Sequence, residues 1–115
     1  MIDLAEIVFK TINVGTVSSG GTEEGTWTPE RDYIIKKIVA VEKNDESLSN
    51  VTVTFWIDEV PFTKELIPLG ILQETPSLVI DIDKELGKGS VFKYSITNNY
   101  TADREIFLVL VLEKG

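Results

Sequence analysis

The sequence predicts an all-β protein, a two-sheet antiparallel β-sandwich of about eight strands forming a single domain over residues 1–115. Three observations predict it. Apolar and polar residues alternate with a period of two along several segments, and no segment carries a sustained helical period. Clusters of Gly, Pro, Asn, Asp and Ser interrupt these segments at short intervals, as "KNDESLSN" (43–50), "PLG" (68–70), "ETPS" (74–77), "GKG" (87–89) and "NNYTADR" (98–104) do. A length of 115 residues with 43% hydrophobic composition suits one core.

From the N-terminus, "LAEIVFKTINV" reads as a strand because Ile, Val and Thr dominate it, with Ile7 and Phe9 on one face. A helix would instead align Leu4, Val8 and Ile12. "SSGGTEEG" (18–25) reads as a flexible loop. "TWTPERD" leads into a strand over 33–42: Pro29 lacks an amide donor and belongs ahead of a paired strand, and Trp27 is placed to cap the open end of the sandwich. Lys36 and Lys37 break the alternation there, so a bulge is expected that lets Ile35 and Ile38 both face inward.

The clearest strand is "VTVTFWID", with Val51, Val53, Phe55 and Ile57 inward and Thr52, Thr54, Trp56 and Asp58 outward. "SLVIDID" repeats the device, with Leu78, Ile80 and Ile82 inward. "KELGKG" suits a short helical turn that its glycines stop. "VFKYSIT" directs Phe92, Tyr94 and Ile96 inward. The last strand, "EIFLVLVLE", is apolar on both faces: Ile106, Leu108, Leu110 and Leu112 on one, Phe107, Val109 and Val111 on the other. A two-layer sandwich uses only one of these. The second row is covered either by the N-terminal segment, with Val8 and Ile12, or by another chain.

Composition narrows the function. Eleven Lys and Arg stand against 19 Asp and Glu, a net charge of -8, and no basic stretch exists to neutralise phosphates, so nucleic acid is not an expected partner. The longest apolar run, 106–112, is far too short to insert through a membrane, and "MIDLAEIVFK" lacks the pattern of a signal peptide. Absent His and Cys remove imidazole catalysis, thiol nucleophiles and the usual zinc ligands. No enzyme and no cofactor is expected. The scarcity of Gln and absence of Cys fit a thermostable chain.

Weak ligand candidates are Asp81, Asp83 and Glu85, carboxylates at alternate positions that offer half of a calcium site, although solvated carboxylates on an outer sheet face give the same pattern. Trp56, beside Thr52 and Thr54, could stack on a glycan or fill a subunit contact. Phe107, Val109 and Val111 are the main interface candidates. Asn50 and Asn99 stand in glycosylation triplets beside turns.

The order "TWTPERDYIIKKIVAVEKN", "VTVTFWIDEVPF", "LIPLGIL", "SLVIDIDKELGKGSVFKYSITN" and a final apolar strand resembles the small single jelly-roll sandwiches of virus and phage particles. The resemblance implies an eight-stranded jelly roll and a structural virion protein (capsid, vertex or turret, or decoration component). Such a protein carries no catalytic residues and associates with itself and with other virion proteins. Without a basic arm, an outer or vertex position is implied, in a protein made in the host cytoplasm. The alternative is a lectin-like module that holds a glycan on Trp56, Thr52 and Thr54, with Ca²⁺ on Asp81 and Asp83.

Overall fold

The computed structural model describes residues 6–63, 65–73 and 82–115, and these form two packed antiparallel sheets with no α-helix among them. The strands are β1 (Ile7–Val17), β2 (Thr22–Trp27), β3 (Tyr33–Glu42), β4 (Val51–Ile57), β5 (Val60–Pro61), β6 (Ile67–Pro68), β7 (Lys84–Leu86), β8 (Phe92–Asn98) and β9 (Arg104–Lys114). One sheet runs β1-β9-β3-β7 and the other β2-β8-β4-β5, with β6 also pairing on β4. The chain alternates between sheets from β1 to β4 and again from β7 to β9, the arrangement of a jelly roll. A 3₁₀ turn, Leu69–Leu72, follows β6.

Alternation decides which side chains meet. Ile35, Ile38 and Ala40 of β3 and Ile106, Leu108, Leu110 and Leu112 of β9 point inward from the first sheet. They meet Val51, Val53 and Phe55 of β4 and Phe92, Tyr94 and Ile96 of β8. Phe55 stacks on Phe92 at 5.6 Å and on Phe62 at 5.8 Å, closing the middle of the core. Each fully buried large side chain contributes roughly 1.5–3 kcal/mol relative to exposure.

The bulge lies where the two lysines required it. Register shifts between Ile35 and Lys37, and Ile35 and Ile38 are both buried. Trp27 ends β2 half-buried against the core, 6.1 Å from the Tyr33 ring, with the Lys10 ammonium 5.5 Å over its face. Lys10 is thereby an inward-pointing charge on an edge strand.

Two expectations need correction. The segment 18–25 is not a flexible loop: Gly21 N–H closes a tight turn on Ser18 O, and β2 then pairs along β8 from Thr22↔Thr97 to Trp27↔Phe92. Its polar residues face water from an edge strand, which is why composition resembled a loop. Gly25 is needed there because the buried Tyr94 ring lies across it, in the space a Cβ would take. Likewise "KEL" is strand β7, paired on β3, and only "GKG" turns. The expected strand over 77–83 falls mostly on residues 74–81, outside the described residues.

Candidate interaction surface

The outer face of the first sheet carries a row of half-buried and exposed apolar side chains. Register places Phe107, Val109 and Val111 of β9 between Asn13, Thr11 and Phe9 of β1 and Val41, Val39 and Lys37 of β3. Opposed residues in an antiparallel pair share a face, so these side chains make one surface. Phe9 is 68% exposed and Ile7 46%. Polar groups frame the apolar strip: Lys43 pairs with Glu105 at 3.4 Å near one end, and Lys36 bridges Asp83 and Glu113 near the other. An apolar centre within a polar rim is the anatomy of a protein interface.

Among the described residues, β1 does not cover this strip. It lies beside β9 as an edge strand, so Val8 and Ile12 pack against the core and Ile7 and Phe9 extend the exposed surface. β1 widens the stripe.

Two more exposed apolar side chains, Val60 at 67% and Ile71 at 41%, stand where β5, β6 and the 3₁₀ turn face β7, and Leu66, 65% exposed, precedes β6. Between these elements opens a groove of about 380 Å³, lined by Phe55, Phe62, Ile67, Ile71 and Leu72 with Thr63, Ile82 and Lys84. The β4–β5 hairpin beside it turns through Asp58 and Glu59, both at positive φ (51° and 68°). That is the two-residue turn usually built from Asn-Gly. Asp58 Oδ1 accepts the Val91 N–H at 2.8 Å and so anchors the turn.

The other sequence-derived candidates fall apart from each other. Trp56 lies on the outer face of the second sheet, away from Phe107, Val109 and Val111, with the Lys93 ammonium 4.9 Å over its ring. Lys93 therefore occupies one ring face. Thr52 and Thr54 share that surface with Thr97 and Ser95, and Thr97 is hydrogen-bonded to Thr22 at 2.8 Å. Asp83 is engaged by Lys36, whose pKa is raised chiefly by that bond, and Glu85 stands opposite Ile34 on β3. Asp81 is outside the described residues, which hold no cluster of three or more potential metal ligands. Asn50 and Asn99 are both exposed, and the Asn50 side-chain amide donates to Asn99 O at 3.1 Å.

Sequence reasoning missed the polar groups at one end of the sandwich. Buried Glu42 accepts three backbone N–H groups, those of Asn44, Glu46 and Glu105. Burial pushes its carboxyl up, but those bonds and the nearby Arg104 outweigh burial and hold the pKa below the ordinary value. Arg104 donates to Ser47 O at 3.1 Å and lies 4.0 Å over the Tyr100 ring. Fully buried Asn98 donates to Val17 O at 3.0 Å and Ala102 O at 2.9 Å and accepts the Tyr100 N–H at 2.9 Å. These bonds tie the loops at this end of the sandwich to the strand ends.

No family model matches the chain, and no curated protein matches it. Among solved structures it is similar to the crystal structure of the Drosophila NLP core, a nucleoplasmin-type core, at 13% identity, covering 90% of this chain and 96% of that one with a TM-score of 0.41. That structure is reported as giving insight into pentamer formation and histone binding by NLP. The expectation of a capsid, vertex or decoration protein is corrected at this point, because the structural match is to the NLP core and not to a particle protein. What stands is the β-sandwich fold.

Proposed function

We propose that the chain is a non-catalytic β-sandwich subunit whose work is to assemble with copies of itself. The observation that carries this reading is the apolar outer face built from Ile7, Phe9, Val39, Val41, Phe107, Val109 and Val111. Leaving it in water is unfavourable. At about 25 cal/mol per Å² of apolar area, covering several such side chains is worth on the order of several kcal/mol per subunit. Light scattering of the purified chain across a concentration series tests the reading: a defined multiple of 12.8 kDa is expected, and a mass that stays at 12.8 kDa at the highest concentration overturns it.

A second reading, that the subunit holds a basic protein, is favoured by the net charge of -8. Titration with a core histone is its test. Saturable binding that weakens as salt is added supports it, and no binding at low salt overturns it.

A further inference from the structure

Resting on the self-association reading, we propose that copies pair as a closed two-fold dimer, the outer face of one first sheet laid on its twin with β9 of each copy over β3 of the other. The order of side chains along these two strands carries the inference. Away from the core, β9 presents Glu105, Phe107, Val109, Val111 and Glu113, an apolar row with an acid at each end. Beside it β3 presents Val39 and Val41, with Lys43 just past one end and Lys36 and Lys37 at the other. The neighbouring row is thus also apolar in the middle, with bases at its ends. Within one chain these ends already pair, Lys43 with Glu105 at 3.4 Å and Lys36 with Glu113 at 3.6 Å.

Facing sheets align their strands within about 30°, so a two-fold axis in the plane between them runs either across the strands or along them. An axis across the strands reverses their direction and sets Glu105 over Glu113 of the other copy and Lys43 over Lys36, like charge on like. An axis along the strands, centred between β9 and β3, keeps the ends together and exchanges the strands. Glu105 then lies over Lys43 of the other copy, Glu113 over Lys36 and Val109 over Val39, so each end becomes two acids and two bases in alternation. The whole apolar row is covered. Phe9, level with Val111 and Lys37, lies over the segment entering β7 of the other copy, where Ile82 N–H is held on Lys36 O at 2.8 Å. Pairing through the edge of β1 would leave that row in water, and the strand opposes it: Lys10 points inward over Trp27, and register shifts between Asn13 and Gly15. Three strands about 4.8 Å apart and about ten residues long, at about 3.3 Å each, present roughly 500 Å² per copy, the low end for a specific contact, so the pair should dissociate on dilution.

Sedimentation equilibrium over a concentration series at low salt tests the arrangement on the wild type, Glu105→Lys, Lys43→Glu and an equimolar mixture of the two variants. The wild type should approach twice 12.8 kDa as concentration rises. Each variant alone meets its own kind of charge at that end and should associate about tenfold more weakly, with an unchanged far-ultraviolet spectrum. The mixture sets bases on acids and should recover the wild-type mass. With the axis across the strands, Glu105→Lys would instead meet Glu113 of the other copy and associate more tightly, which overturns the proposal. A variant that associates as the wild type does, a mixture no heavier than its components, or a wild type heavier than two chains overturns it as well. Should Glu105→Lys lose its fold, Glu113→Lys with Lys36→Glu repeats the test at the other end. All of these leave self-association standing. A wild-type chain that is monomeric at every concentration overturns both.

Discussion

Replacing Asn98 with alanine should cost more stability than any change on the exposed faces. Asn98 is fully buried and clamps two segments to the end of β8: its amide holds Val17 O at the end of β1 and Ala102 O in the β8–β9 loop, and its carbonyl oxygen receives the Tyr100 N–H of the same loop. Its backbone adds two more ties, to Gly20 N–H and Gly21 O in the β1–β2 turn. The alanine variant keeps the backbone ties and loses the three side-chain bonds. At about 1 kcal/mol for each bond, with a further penalty where a carbonyl or N–H is left buried without a partner, the loss is about 3–5 kcal/mol. That is a large part of the roughly 5–15 kcal/mol that holds a domain folded. For a chain of this size the thermal midpoint should fall by about 12–20 °C. Urea unfolding followed by tryptophan fluorescence measures it, with Asn99→Ala, an exposed neighbour, expected within about 0.5 kcal/mol of wild type. A loss below about 1 kcal/mol for Asn98→Ala would refute the clamp.

Three further outcomes follow from the same packing. The Glu42 carboxyl has a folded pKa below its ordinary 4.5, so its contribution is present above the unfolded value and lost as pH falls through the folded value; Glu42→Gln should flatten that part of the acid unfolding curve below the ordinary carboxylate value. Glu59 has a side chain at φ 68°, and Glu59→Gly should raise stability by about 0.5–1 kcal/mol, read as a higher urea midpoint. Gly25→Ala should lower stability by about 1–3 kcal/mol, because its methyl would occupy the space of the Tyr94 ring.

How far the sequence could be read depended on whether a property was local. The inward rows of β4 and β8 follow from alternation, and the bulge in β3 from two lysines set against it, since a strand's faces are fixed by its own residues. The double apolar character of β9 marked Val109 correctly as outward, because a central strand flanked by β1 and β3 must still show one face to the outside. By contrast, β2 was hidden: "TEEGTW" has little intrinsic strand preference, and its conformation is imposed by pairing with β8, some seventy residues away. Phe9, Leu66 and Ile71 were not marked as surface because exposure there depends on which strands end each sheet, a property of topology. Nothing in "TNNY" distinguishes Asn98 from Asn99, although one is fully buried and the other exposed. The virion expectation erred for a general reason: the jelly-roll pattern reports how a core is closed, and many functions share it.

The claim that the outer face of the β1-β9-β3-β7 sheet is a subunit contact is tested most directly by the mass of Val109→Glu in solution, measured beside the wild type by sedimentation equilibrium. Val109 lies between Thr11 and Val39 at the middle of that face, with its side chain directed away from the core. The account predicts an associated wild type and a folded 12.8 kDa monomer for the variant, with an unchanged far-ultraviolet spectrum, because a carboxylate on an interface opposes association without entering the core. A variant that keeps the wild-type multimeric mass, or one that loses its fold, would contradict it.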